Sequence, residues 1–184
     1  MPRGLTAPSP PLGDDAIRLD PLDERFIPEF ERLLDDPDVV RNTRVPSRPL
    51  DGFAARWIGR YARGWTDGSC AGFAILAGAG DFLGFAAIVD LDLSARQGEI
   101  GYVVAREARG RGVAGRALGL VTEWALEGLG LERVELRIDV ANAPSIRVAE
   151  RAGYRREGVL RSVHFKEDIR GDVAVYSLLP GDRR

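Results

Sequence analysis

Between Cys70 and Ala105 the chain runs through three apolar stretches, "CAGFAILAG", "DFLGFAAIVDLDL" and "GEIGYVVA", separated only by "GAGD" and "SARQG". Spacers so short and so rich in Gly, Asp and Ser leave no room for a crossover helix. They must reverse the chain, so the centre of the fold is predicted to be two successive hairpins, an antiparallel meander. The remaining elements have to be arranged around it. "AIRLDPL" (Ala16–Leu22) reads as a first strand. "LDERFIPEFERLLDD" has Phe26, Phe30, Leu33 and Leu34 at helical spacing and breaks near Pro37. "VVRNTRVPSRPL" reads as loop, and a second helix follows with Asp51 as its cap and Phe53, Trp57, Tyr61 and Trp65 recurring every four residues.

After the meander, "GRALGLVTEWALEGL" is a helix ended by Gly128 and Gly130. "ERVELRIDV" is a strand, "APSIRVAERAGY" a short helix stopped by Gly153, and "GVLRSVHF" with "DVAVYSLL" a last hairpin. The expected order is β-α-α-β-β-β-α-β-α-β-β. This makes one α/β domain of the α+β type over residues 15–180, with a mixed, mostly antiparallel sheet of six to seven strands. Residues 1–14 hold four prolines. They read as a disordered leader, or an arm that orders only against something else; residues 181–184 read as a tail.

Charge narrows the function. Lys and Arg number 26 against 28 Asp and Glu, a formal charge of −2, which argues against a general nucleic-acid binder. Cys70 is the lone cysteine and leads an apolar run, so a buried thiol is expected, with no intramolecular disulfide. No His–Cys spacing suggests a metal site, and neither a signal-like segment nor an apolar run near 18 residues is seen. A reduced cytoplasmic setting, with no membrane partner, is the expectation.

The stretch "ARGRGVAGRA" (Ala108–Ala117) carries the chemistry. Gly110, Gly112 and Gly115 spell G-x-G-x-x-G, the dinucleotide pattern. That pattern needs a glycine directly after a strand, parallel strands around it, and an acid about 20 residues on. Here "AREAR" intervenes, the upstream strands are hairpin-connected, and Asp139 comes too late. A P-loop is excluded by Arg116 and Ala117, which stand where Lys and Ser or Thr are needed. What remains is a helix N-terminus opened by small residues and flanked by Arg109, Arg111 and Arg116. Unpaired backbone N–H groups and the helix dipole suit an anion there.

Together, "GEIGYVVAREARGRGVAGRAL" and "NAPSIRVAERAGYRREGVLR" resemble the GNAT superfamily of acyl-CoA N-acyltransferases. Arg109, Gly112 and Ala114 meet its Q/R-x-x-G-x-G/A motif. Asn142, Ser145, Gly153, Tyr154, Glu157 and Gly158 meet its second block. The branch most similar is the one that acetylates N-terminal amines of ribosomal proteins. The resemblance implies a splayed central strand pair with helices on both faces and acetyl-CoA as acyl donor without a metal. The acceptor would be an amine attacking directly in a ternary complex, and a homodimer is implied.

By the same resemblance, backbone amides of Arg111–Arg116 (with Gly112, Val113, Ala114 and Gly115 between), beside Arg109 and Gly110, would hold the CoA pyrophosphate. A bulge near Tyr102–Ala105 would free N–H and C=O groups of Val103 and Ala105, alongside Val104, for pantetheine, with the Val103 N–H polarising the thioester carbonyl. Asn142 would bind pantetheine. Glu99 is the candidate general base, with Asp90 and Asp92 as alternatives that could instead bind a cationic substrate. The tyrosine acid of many members falls on Ala149, which leaves Ser145 as candidate proton donor. His164, in "SVHF", reads as a partly exposed strand residue, Trp57, Tyr61 and Trp65 as core or cleft wall, and Tyr154 as packing. Arg41–Arg48 would wall the acceptor cleft. A catalytically silent acyl-CoA sensor on the same fold remains an alternative, to be separated by its lack of thiol release.

Overall fold

The computed structural model describes residues 4–166 and 168–182. The first three residues of the expected leader and the last two of the tail lie outside them. One sheet of eight strands forms the centre, in the order β1-β2-β3-β4-β5-β6-β8-β7. The strands are β1 (Leu12–Gly13), β2 (Ile17–Pro21), β3 (Ala71–Ala77), β4 (Phe82–Asp92), β5 (Gln97–Val104), β6 (Arg133–Asp139), β7 (Arg155–Lys166) and β8 (Ile169–Leu178). The meander β3–β4–β5 forms as its turns demanded. Every pairing is antiparallel except β5 with β6.

The eighth strand comes from the leader. Leu12 and Gly13 pair with Leu19 and Arg18, Leu5 donates its N–H to the Trp65 carbonyl, and the Asp14 carboxylate bonds Arg116 at 2.7 Å. A proline-rich segment without apolar periodicity carries no signal for this, because the order comes from docking.

The helices are α1 (Ile27–Leu34), α2 (Pro37–Asn42), α3 (Phe53–Asp67), α4 (Val113–Glu123, widening into a π turn at Trp124–Gly128) and α5 (Ala143–Arg151). Two differ from expectation. The segment read as loop begins inside α2: Pro37 sits in its first turn, where no N–H is needed, and the Asp36 carboxylate accepts the Asp38 N–H. In α3 the cap is Gly52 in the left-handed region, not Asp51, which offers only its carbonyl to Arg56.

Alternation along the strands divides the core in two. Val103, Phe85, Ala87 and Ala74 face one apolar cluster with Phe30, Ile58 and Tyr61, beneath α1–α3. Ile100, Ala86, Leu136 and Ala174 face the other, with Leu118, Val121 and Ala149 from α4 and α5. Cys70 is buried against Gly64, where a Cβ would fall 2.2 Å from the sulfur, and burial pushes its thiol up. Tyr154 is buried with its hydroxyl 2.7 Å from Thr122 Oγ1. Trp65 packs edge-on to Phe73 beside Trp124.

Candidate active site

β5 and β6 are both fully committed on their outer sides. β5 pairs with β4 from Glu99 opposite Val89 to Val104 opposite Gly84, while β6 pairs with β8 through Asp139. Between them the ladder holds only from Gln97–Arg133 to Glu99–Glu135. Beyond Glu99 the two strands diverge, and the inner edge of β5 opens onto a cleft of about 930 Å³.

The split is therefore where it was expected, but the backbone groups are not. Ala105 N–H donates to the Leu83 carbonyl, and a Cβ on Gly84 would meet the Val103 carbonyl oxygen at 2.1 Å. Val103 and Ala105 thus face β4. Since direction alternates along a strand, Tyr102 and Val104 present their backbone to the cleft. The expected bulge near Tyr102–Ala105 is absent; the irregularity lies between Val89 and Asp92, where Asp90 adopts a φ of 47°.

After β5, a short 3-10 turn (Arg106–Ala108) leads to Gly110 and Gly112, with φ of 74° and 77°. Gly112 caps α4 in the left-handed region, which an L side chain enters at a cost of about 1–2 kcal/mol. Gly110, dispensable in the motif, has the same need. The first α-helical bond runs from Arg116 N–H to the Gly112 carbonyl. Arg116 is therefore not a free amide, and the unpaired N–H groups of this first turn are those of Val113, Ala114 and Gly115. A Cβ on Gly110, Gly112 or Gly115 would meet nothing within 4 Å, so the cradle is open.

Two of the three arginines of this loop are held by carboxylates elsewhere. Arg109 sends Nη2 to Asp36 at 2.6 Å, Nη1 to Asp38 at 3.1 Å and Nε to the Val104 carbonyl at 3.1 Å. It ties the loop to the start of α2. Arg116 is held by Asp14 and Asp15, Arg111 is exposed, and the Val113 side chain is buried. Of the expected cofactor set, Val103, Val104, Arg109, Gly110, Gly112, Ala114, Gly115, Asn142 and Ser145 line the cleft; Ala105, Arg111, Val113 and Arg116 do not.

Glu99 shares the face of Val103, beneath α1–α3. Its carboxylate lies 3.2 Å from Arg44 and 3.6 Å from Arg137, with the side chain 12% exposed. Burial raises its pKa; the two guanidinium groups oppose this, and Asp90 and Glu135 reinforce it. Asp90 is exposed and 3.7 Å from Arg44. Asp92 is used up in its turn, accepting Ser94 and Ala95 N–H groups and the Ser94 hydroxyl, and does not line the cleft.

On the opposite face, Asn142 caps α5 by accepting the Ser145 N–H at 3.2 Å, which leaves its amide NH₂ for the cleft. Ala149, fully buried, leaves no tyrosine here. A tyrosine reaches the place from another element: the Tyr102 hydroxyl donates to the Ser145 carbonyl over a long 3.5 Å, and burial raises its pKa. The sequence holds this residue in plain view, three positions after Glu99, but only strand alternation and the approach of α5 bring it to Ser145. His164 lines the cleft from β7, half-buried opposite Gly171. Glu157 of the second block lies outside it, pairing with Arg133 across β8 at 2.7 Å.

Among the described residues no group of His, Cys, Asp and Glu could hold a metal ion, and no helix is long and apolar enough to cross a membrane. The sequence model of the acetyltransferase (GNAT) domain matches residues 17–155. Over 100 residues the chain is 35% identical to a Bacillus subtilis (strain 168) protein named putative ribosomal N-acetyltransferase YdaF, covering 54% of this chain and 55% of that one. The chain spans about half the length of the curated relatives it matches. A solved structure described as a probable acetyltransferase superposes with a TM-score of 0.84 at 25% identity, over 92% of this chain and 96% of that one. The ribosomal L7/L12 alpha-N-protein acetyltransferase RimL, solved with coenzyme A, gives 0.82 at 18% over 92% and 96%, a likeness of fold. A strand pair split over a glycine-opened helix, with a family match across the whole of it, leads to one statement: the chain belongs to the GNAT acetyltransferase family.

Proposed function

We propose that this protein transfers an acetyl group from acetyl-CoA to a primary amine of a protein N-terminus or a small molecule, by direct attack in a ternary complex. One observation carries the reading: the unpaired inner edge of β5, the open N-terminus of α4 and the buried Glu99 carboxylate share one cleft. Acetyl-CoA supplies an acyl group activated as a thioester. Ala114 and Gly115 N–H groups, both at the cleft, would hold its pyrophosphate, where partial positive charge and small or absent side chains coincide. The Tyr102 backbone and the Val104 N–H would pair with pantetheine as a strand edge does, the Val104 carbonyl accepting from Arg109, and the role expected of the Val103 N–H passes to these cleft-facing amides.

Glu99 takes a proton from the acceptor ammonium, directly or through water. A nitrogen–carbon bond forms as the carbon–sulfur bond breaks, the departing sulfur takes a proton from Tyr102 or Ser145, and the second proton shed by the nitrogen as the amide forms restores that hydroxyl, directly or through water. A reducing cytoplasmic setting goes with the buried Cys70, and a homodimer belongs to the same reading.

The test measures CoA affinity by calorimetry and thiol release from acetyl-CoA with a panel of amines. Glu99→Gln combined with Ser145→Ala and Tyr102→Phe should lower release at least hundredfold while CoA affinity stays within about threefold. The silent acyl-CoA sensor is the second reading, favoured by the two arginines already occupying Glu99. CoA binding by the unaltered protein without thiol release toward any amine would select it.

A further inference from the structure

Resting on the acetyl-transfer reading above, we infer that the acceptor is an amine carrying a carboxylate close to it, and that Arg41 and Arg60 select it. The acceptor must approach Glu99 from the sheet face beneath α1–α3, since α4 and α5 take the other. On that face the cleft is lined by Arg41 and Arg44 from the α2 end, Arg60 from α3 and Arg137 from β6. Two of the three acids there are ion-paired, and the third is engaged only by a backbone N–H. Asp38 bonds Arg109 at 3.1 Å, Glu99 lies between Arg44 and Arg137, and the Asp139 carboxylate accepts the Ala141 N–H at 2.8 Å.

Arg41 and Arg60 have no carboxylate partner among the described residues, and Arg60 stands 6.0 Å from the centre of the Tyr61 ring. The approach to the base is thus positive. A polycation would meet Arg41 and Arg60 with Asp139 as the one lining carboxylate that carries no cationic partner among the described residues, against four arginines on that face. An amine with a neighbouring carboxylate would present its anion to these two guanidinium groups and its nitrogen to Glu99. In the same cleft, half-exposed Leu160 and Val163 offer apolar surface for the rest of the acceptor. The shared chemistry fits an acidic peptide N-terminus and a free amino dicarboxylic acid alike.

The experiment measures kcat/KM by thiol release from acetyl-CoA. Its acceptors are a peptide with two glutamates after its first residue, the same peptide with glutamines, free glutamate, and spermidine. The better acid-bearing acceptor should exceed both the glutamine peptide and spermidine by about tenfold, an advantage that shrinks with added salt. Which of the two is faster names the source. Arg41→Glu with Arg60→Glu should reverse the order in favour of spermidine while CoA affinity is kept. Equal or better use of spermidine by the unaltered protein overturns this inference and leaves acetyl transfer standing. Thiol release with none of the acceptors, despite CoA binding, overturns both. A double variant that loses CoA affinity would assign these arginines to the cofactor, and that too overturns the inference.

Discussion

Replacing Arg109 by alanine separates two accounts of the same motif residue. In the first, the arginine holds the CoA pyrophosphate. In the second, it fastens the phosphate loop to α2. The structure favours fastening. Asp36, only 9% exposed at its side chain, receives Nη2 at 2.6 Å, whereas Asp38, 61% exposed, receives Nη1 at 3.1 Å. A charge-assisted bond to a shielded carboxylate contributes about 1.5–3 kcal/mol, and one to an exposed carboxylate about 0–1 kcal/mol. Asp36 keeps one partner after the change, the Asp38 N–H at 2.9 Å, so it is not left bare.

The expected loss for Arg109→Ala is therefore about 2–3 kcal/mol. At roughly 2–4 °C per kcal/mol for a chain of this size, Tm falls by about 4–12 °C. Circular dichroism melts of Arg109→Ala, Asp36→Asn and the double variant form a cycle. A coupling of about 1.5 kcal/mol is expected, with CoA affinity changed less than tenfold once the loop is folded. Unchanged melting together with a hundredfold loss of CoA affinity would refute this reasoning and return Arg109 to the phosphate.

Two further predictions concern titration. Since burial holds the Glu99 pKa above its ordinary 4.5, the acid limb of kcat/KM should lie above that value. Arg137→Met, which removes a charge that lowers it, should move the limb to higher pH, and Glu135→Gln to lower; a limb that survives Glu99→Gln would exclude Glu99 as the base. For Glu157, hydrogen bonds from Arg133 and then Ser177 hold the carboxyl at about 2 in the folded state against 4.5 ordinarily. Its contribution is complete above pH 4.5 and is lost as pH falls toward 2. With the side chain 44% exposed, that contribution is under about 1 kcal/mol. Acid melts of Glu157→Gln should therefore converge on the unaltered protein between those limits, and parallel curves throughout would contradict the assignment.

Much of this fold is local, and local features are legible. The hairpins of β3–β5 follow from turns too short for anything else, and α4 begins where glycines allow a left-handed residue. Family motifs added the splayed pair. Legibility fails wherever two distant segments meet. Nothing near Leu12 announces a strand, because its partner is Leu19 and its latch the Asp14–Arg116 bond. Arg44 reads as a loop arginine until α2 and the following turn bring it to Glu99.

The sequence by itself determined most of the elements and the family, since short turns, helical periods and a glycine-opened helix depend on neighbouring residues. Tertiary structure decided which groups face the cleft. Sequence cannot tell Val103 from Val104, because both are apolar strand residues; pairing with β4 turns one inward to the ladder and leaves the other on the open edge. The loop arginines were settled the same way. Charge type alone suits Arg109 to phosphate, but carboxylates some seventy residues earlier in the chain, at 2.6 and 3.1 Å, hold it instead. Orientation and competition for partners are properties of packed neighbours, and packing is what the folded chain adds.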